Sequence, residues 1–268
     1  MKIFDCFTYF DENELLEIRL NELNKFVDYF VIIESGETHQ GGKKTKNINN
    51  NLLKKFGKKI RYYYIKKFKK NQSSWTNENY QRNCISKGLY DAKNEDIIII
   101  SDIDEIPNLN NINFKKIENT IFAFRQLHSM YKFNLLRKDK WLGTKLCSFN
   151  KLISPQWLRS LKVHKKYSKI RIDKIFSKSY VSNFKIIENG GWHFGWLKKS
   201  KLIKKKLESY AHSEHNTKEL KNIKSIDFCI KNKINFFDYN EKLFIKKNIF
   251  YLPEYIRKNK KKFKKFIL

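Results

Sequence analysis

The sequence of 268 residues has only four cysteines, Cys6, Cys84, Cys147 and Cys229, and no two of them form a C-x-x-C pair. That spacing excludes the common zinc and dithiol motifs and leaves buried free thiols of a reducing compartment as the expectation. No apolar run approaches the about 20 residues of a membrane-spanning helix. The opening MKIFDCFTYFDENE breaks its short apolar run at Asp5 and then turns acidic, so it reads as a first strand rather than a signal peptide. With three prolines and nine glycines the chain shows no long linker, and it shows no internal repeat. Acidic residues are scarce: 27 stand against 57 Lys and Arg, a formal net charge of +30. No helix-turn-helix, zinc-finger or RNP pattern accompanies that charge.

What is present argues for a compact protein. Hydrophobic residues make up 41% and aromatics 15%, enough to fill a core. Lysine is abundant together with asparagine and isoleucine, all residues with A/T-rich codons, and the lysines are spread along the length. A biased genome explains the charge better than a nucleic-acid function does. A basic surface still attracts anions such as nucleotide diphosphates, acidic glycans or membrane headgroups.

Along the chain, residues 2–10 have strand composition, and residues 11–23 follow with Leu15, Leu16, Leu20 and Leu23 on one helical face. Asp11 and Glu14 fit a capping box. FVDYFVIIES, residues 26–35, is a second strand, so a βαβ unit with a right-handed crossover is expected. Residues 36–47 are a loop and KKIRYYYIKKF is a third strand. Thr76 then caps a helix over 77–91 that carries Glu78, Gln81 and Arg82 on one face. After residue 107 the pattern changes to longer antiparallel strands. A short helix follows with Ser154 as N-cap and Pro155 at its first position. Next come a strand, glycine turn and aromatic strand in VSNFKIIENGGWHFGWL, and then helices near 198–212 and 217–232. The expectation is α/β: one domain, with a βαβ-rich half over 1–107 and a mixed half over 108–268.

The most informative stretch is NEDIIIISDIDEIP, residues 94–107. Four isoleucines read as a strand buried on both faces. Carboxylates at its end are costly to desolvate unless something positive meets them. A divalent cation is one answer: Asp102 and Asp104 are hard oxygen ligands that suit Mg²⁺ or Mn²⁺, ions that keep open positions for phosphate oxygens. A solvated acidic turn is the other.

The segment IIISDIDEIP resembles the D-x-D region of glycosyltransferase family 17, the β-1,4-mannosyl-glycoprotein 4-β-N-acetylglucosaminyltransferase-like enzymes. DENELLEIRLNELNKFVDYFVIIES, NENYQRNCISKGL, GGWHFGW and FFDYN…YLPEYIRKNKKKF resemble other family segments in the same order. The resemblance implies a GT-A type fold, with a Rossmann-like nucleotide-sugar-binding half (1–107) joined to an acceptor-binding half (108–268). It implies inverting transfer of GlcNAc from a UDP-sugar, UDP-GlcNAc, to a glycan acceptor with Mn²⁺ or Mg²⁺. Asp104 is then a direct metal ligand. Asp102 acts through water or on the donor's sugar or ribose. His193 is the third protein ligand, unless it is a hydrogen-bonded histidine of an aromatic cluster. Arg82 contacts the donor or only pairs with Glu78. Glu34 and Ser35 end the second strand and become donor contacts. Glu105 and Glu214 are the two carboxylates considered for the catalytic base. Trp141, Trp192 and Trp196 stack on sugars or pack the core, with Trp192 and Trp196 the acceptor candidates.

Two other readings remain: a basic nucleic-acid-binding protein, and an inactive glycan- or membrane-binding relative. The C-terminal YIRKNKKKFKKFIL, read alone, is an amphipathic basic helix for peripheral contact with an anionic membrane. Read with the resemblance, it is the end of the fold. Animal members of the family are Golgi proteins with a membrane anchor. This chain starts almost at the catalytic part, so a cytoplasmic enzyme of microbial or large-virus origin, acting on another glycan, is expected.

Overall fold

The computed structural model describes residues 1–117, 120–162 and 184–268. Four parallel strands build the first half: β1 (Ile3–Tyr9), β2 (Tyr29–Ser35), β3 (Ile60–Ile65) and β4 (Ile97–Asp102). They lie in the order β3-β2-β1-β4. All four isoleucines of β4 are buried, as the unbroken apolar run requires of a strand covered on both faces. Helices α1 (Asn13–Leu23), α2 (Asn50–Phe56) and α3 (Ser74–Asn83) connect these strands.

The second half extends the same sheet. β5 (Glu105–Pro107) is short; β6 (Ile121–Met130) and β8 (Trp141–Ser148) are the long antiparallel pair, with β7 (Leu135–Leu136) between them in sequence. β8 runs antiparallel to β4 and joins the two halves. α4 (Pro155–Ser160), β9 (Phe184–Ile187) and β10 (Gly191–Gly195) follow, and then α5 (Ser200–Leu207) and α6 (Ile223–Asn232). β11 (Ile234–Asn235), β12 (Asp238–Lys242), β13 (Phe244–Ile245), α7 (Glu254–Lys258) and α8 (Lys260–Phe263) complete the described elements. The result is the expected α/β class: among the described residues, a mixed sheet of eleven strands flanked by helices.

Several local expectations need correction. Asp11 does not cap α1, which starts at Asn13. Glu12 precedes it and turns its carboxylate back onto the N–H groups of Phe10 and Asp11, at 3.2 and 3.0 Å. Asp11 pairs with Lys198 instead. Thr76 does not cap the third helix either: Ser73 does, accepting from the Thr76 N–H at 3.1 Å, and the helix ends at Asn83, followed by a 3₁₀ turn over Cys84–Leu89. The two late helices are shorter than expected. Residues 181–183 of the expected VSNF strand lie outside the described residues. Ser154 and Pro155 start α4 as expected, with the Ser154 hydroxyl on the Trp157 N–H at 3.1 Å.

The basic C-terminal segment turns its apolar side inward. Ile256 and Phe263 are buried in the main core, and Phe266 packs on Phe133 with ring centroids 5.4 Å apart. Those apolar groups are used by the fold and are not offered to a membrane. No described helix is long and apolar enough to cross one. All four cysteines are free and buried.

One glycine decides where β10 can lie. Gly191 has φ +119°, and a Cβ there would stand 2.2 Å from the Ile106 carbonyl oxygen of β5. Gly191→Ala is expected to cost at least about 1–3 kcal/mol through backbone strain alone. A urea melt that shows no loss would contradict this.

Candidate active site

β1, β2 and β4 are parallel, so their carboxyl ends open on one edge: Tyr9 pairs with Glu34, and Thr8 with Asp102. β2 and β4 flank β1: the chain steps from β1 to β2 and β3 on one side and then crosses back to β4 on the other. This is the switch point at which open α/β sheets bind ligands. A cavity of about 540 Å³ occupies that edge. Six of its lining residues are carboxylates (Glu12, Glu37, Glu78, Asp102, Asp104, Glu105) and three are cations (Arg82, Arg159, Lys206). In a protein of formal charge +30, this cavity runs acidic.

The D-x-D turn hangs from one buried arginine. Arg19 lies within the apolar stripe of α1 and is fully buried. Its guanidinium grips Asp5 of β1 with both arms, at 2.6 and 2.7 Å. It also donates to the Ser101 hydroxyl at 2.5 Å and to the carbonyls of Asp102 and Glu105 at 2.9 and 3.0 Å. The backbone of the turn is thus fixed from beneath, and its carboxylates are left to face the cavity.

The three carboxylates of the turn have different sets of partners, with Arg159 shared between two of them. Asp102 receives Arg82 Nη2 at 3.0 Å and Arg159 Nη2 at 2.7 Å. Burial pushes its carboxyl up, but Arg159 and Arg82 more than offset this and hold it well below the usual carboxylate range. Asp104 meets Lys206 Nζ at 3.3 Å and faces His193 Nε2 at 3.8 Å. Glu105 is the most enclosed. Trp141 Nε1 donates to its Oε1 at 2.5 Å, Arg159 reaches both its oxygens at 2.7 and 3.1 Å, and its Oε2 accepts from the Asp102 N–H at 3.2 Å. Gly143 makes that enclosure feasible, since a Cβ there would fall 2.1 Å from Glu105 Oε1.

His193 reaches the turn through β-pairing. β10 runs antiparallel to β5 with His193 opposite Glu105, and the Phe194 N–H donates to the Asp104 carbonyl at 2.8 Å. The imidazole packs against both His128 and Trp141, with ring centroids 4.4 and 4.7 Å away. Burial lowers its pKa, and the opposing pull of Asp104 and Glu105 does not restore it. A neutral imidazole is the metal-ligating form. Its buried Nδ1 has no hydrogen-bond partner among the described residues, and its Nε2 stands beyond hydrogen-bond reach of Asp104. A histidine satisfied inside an aromatic cluster would not look like this. Asp104 and His193 thus face each other with an oxygen and a nitrogen of the kinds that suit a hard or borderline divalent ion, whereas both Asp102 oxygens are held by arginines.

The remaining candidates divide. Ser35 lines the cavity; Glu34 does not. Glu34 is fully buried under the loop after β2, paired with Lys44 and bonded to the Tyr62 hydroxyl at 2.8 Å. Trp192 belongs to the core, with its Nε1 on the Tyr251 carbonyl at 2.6 Å, because β10 alternation turns it away from His193. Trp196 lines this cavity and a second one of about 470 Å³ beside it. It sits at φ +56°, a strained conformation for a bulky residue, with Lys206 Nζ 5.3 Å from its ring centroid. Glu214 does not line the cavity; it is half-exposed and bonds the cavity-lining His212 at Nδ1, 2.6 Å away. With His215 these groups place their ligand atoms within 4.8 Å of one another.

A model of glycosyltransferase family 17 matches residues 1–268. The chain belongs to glycosyltransferase family 17. The human and rat β-1,4-mannosyl-glycoprotein 4-β-N-acetylglucosaminyltransferases are each 30% identical to it over 135 residues, 46% of this chain and 25% of theirs. The match thus spans about a quarter of those relatives. Among solved structures, the galactosyltransferase LgtC in complex with donor and acceptor sugar analogues overlays 58% of this chain and 59% of its own, at 13% identity and a TM-score of 0.30. An active-site mutant of LgtC overlays 68% of this chain and 72% of its own, at 11% identity and a TM-score of 0.32.

Three residues of this family-17 site escape the sequence motifs: Arg19, Arg159 and Lys206. Arg19 alone left a signal, as a charge inside a leucine stripe. Beside the site, Lys145 of β8 is buried with its ammonium on the Arg159 carbonyl. Burial, aided by Arg159, lowers its pKa to about 7. An unfolded lysine releases its proton near 10.5. Between these values the unfolded chain binds more protons, so stability from this group rises with pH. Wild type is expected to gain on Lys145→Met by up to roughly 1.4 kcal/mol per pH unit from pH 7 to 9. Parallel urea-midpoint profiles for the two proteins would refute the shift.

Proposed function

We propose that the chain is a metal-dependent inverting glycosyltransferase that moves a sugar, GlcNAc from UDP-GlcNAc, onto a glycan acceptor. The observation that carries this reading is the Asp102–Asp104 pair at the carboxyl end of β4, faced by His193 Nε2 in an acidic cavity. Family membership supports the reaction class; the UDP-GlcNAc donor follows the names of the human and rat relatives.

Asp104 and His193 would hold Mn²⁺ or Mg²⁺, with Asp102 contributing through water or through the donor sugar. Once bound, such an ion supplies Lewis-acid stabilisation of the leaving diphosphate. Ser35, at the end of β2, stands where the nucleoside would lie. Trp196 forms the wall between the two cavities and offers its face to the acceptor. The acceptor oxygen bonds to the anomeric carbon as the sugar–phosphate bond breaks, and the hydroxyl proton goes to a base. Glu105 has both oxygens engaged by Arg159, so it orients the turn. Glu214 remains solvent-accessible beside the cavity-lining His212 and takes the base role.

The acidic cavity favours this reading over nucleic-acid binding, because phosphates along a strand would meet net negative charge there. A thermal-shift screen of nucleotide sugars with and without Mn²⁺ tests it. Stabilisation by a UDP-sugar only in the presence of metal is expected. No response to any nucleotide sugar, or an equal response in EDTA, would overturn it.

A further inference from the structure

The acid pair is already held by cations of the protein itself. Both oxygens of Asp102 carry guanidinium groups, Arg82 on one and Arg159 on the other. Lys206 Nζ contacts Asp104 at 3.3 Å and Glu12 at 3.6 Å. Any divalent ion that binds the pair competes with these three charges. A diphosphate removes the conflict, since it brings the negative oxygens that the displaced cations need.

The cations are set on rigid supports. Arg82 comes from α3 and Arg159 from α4, and the two helices are tied together. Gln156 accepts from Arg82 Nη1 at 2.6 Å, and the Gln156 N–H donates to Asn83 at 3.0 Å. Arg82 Nε is buried and has no partner among the described residues, so this guanidinium has a donor to spare. Two planar forks and one ammonium around a cavity suit a diphosphate better than a neutral sugar.

We propose that Arg159, with Arg82 and Lys206, is the diphosphate seat, and that these cations pass from Asp102 and Asp104 to the diphosphate as metal binds. This rests on the metal–nucleotide reading above. Its consequence is coupling: metal alone and nucleotide alone bind weakly, and each tightens the other by the same factor. Arg159 is a positioning residue for the pair as well as a ligand contact.

Calorimetric titration of Mn²⁺ alone, UDP alone and each in the presence of the other, on the full chain, tests the exchange. In wild type, UDP is expected to tighten Mn²⁺ at least 10-fold, and Mn²⁺ to tighten UDP equally. In Arg159→Gln, Mn²⁺ alone binds more tightly, because one competitor for Asp102 is gone, while UDP in the presence of Mn²⁺ binds at least 10-fold more weakly. Opposite signs are the signature: a merely structural role lowers both affinities together. Arg82→Gln, which removes the other cation on Asp102, carries the same test where Arg159→Gln does not fold. If wild type binds neither Mn²⁺ nor UDP, the proposed function fails. If wild type binds both, and the variants leave both affinities unchanged or weaken both, this inference alone fails.

Discussion

Arg19→Met is expected to cost about 3–5 kcal/mol of folding stability, the range for breaking one partner out of a buried ion pair. The substitution leaves Asp5 charged and fully buried with no guanidinium to meet it. It also orphans the Ser101 hydroxyl, strips the donor from the Asp102 carbonyl and leaves the Glu105 carbonyl with only the Thr144 hydroxyl. The midpoint of urea unfolding should fall sharply, with little change in slope. A second variant separates the two duties of Arg19. In Asp5→Leu/Arg19→Met no buried charge remains, so much of the stability should return, as it does when apolar residues replace buried ion pairs elsewhere. The carbonyls of the D-x-D turn still lack the guanidinium that ties them together, so Mn²⁺-dependent UDP binding should stay impaired. Full recovery of both properties in the double variant would show that Arg19 only neutralises Asp5 and does not shape the turn.

Arg19 also shows how far the sequence could be read. The four isoleucines of β4, the strand–helix–strand opening and the D-x-D at a strand end are local patterns, and each appears in the structure where its periodicity places it. The caps were less legible. Asp11 and Thr76 have the right chemistry for an N-cap, but Asp11 is drawn to Lys198, 187 residues away, and Ser73 lies better placed than Thr76. Tertiary charge pairing overrides a local preference worth about 1 kcal/mol. His193 could be guessed from its glycines and tryptophans, yet its approach to Asp104 depends on β10 pairing with β5, a contact between segments some 90 residues apart. Arg159 and Lys206 left no mark, because one more basic residue in a chain of this composition carries no information. The tryptophans could not be sorted for a related reason: alternation along β10 sends Trp192 inward, and register is set by pairing.

Asp104→Asn is the substitution with the largest expected effect on binding. Asparagine keeps the shape and the contact with the Phe194 N–H, which is made by the Asp104 backbone carbonyl and not by its side chain. It removes the negative charge that faces His193 and Lys206. Folding should be nearly unaffected. Lys206 keeps Glu12 as a partner, and burial pushes the Glu12 carboxyl up while Lys198 and Lys206 hold it down at about 2, so Glu12 stays charged at neutral pH. Binding is different. Loss of an outer partner of a metal site costs 10–100-fold in affinity, and a direct carboxylate ligand should cost at least the upper end, about 100-fold. Titration of Mn²⁺ followed by UDP should therefore show UDP binding in the variant reduced to the level that wild type shows in EDTA. Asp102→Asn should lose less, since its carboxylate is shared between two arginines and is assigned no direct bond to the ion. A variant at residue 104 that binds Mn²⁺ and UDP like wild type would move the ion to other ligands and leave the Asp104–His193 pairing without a purpose.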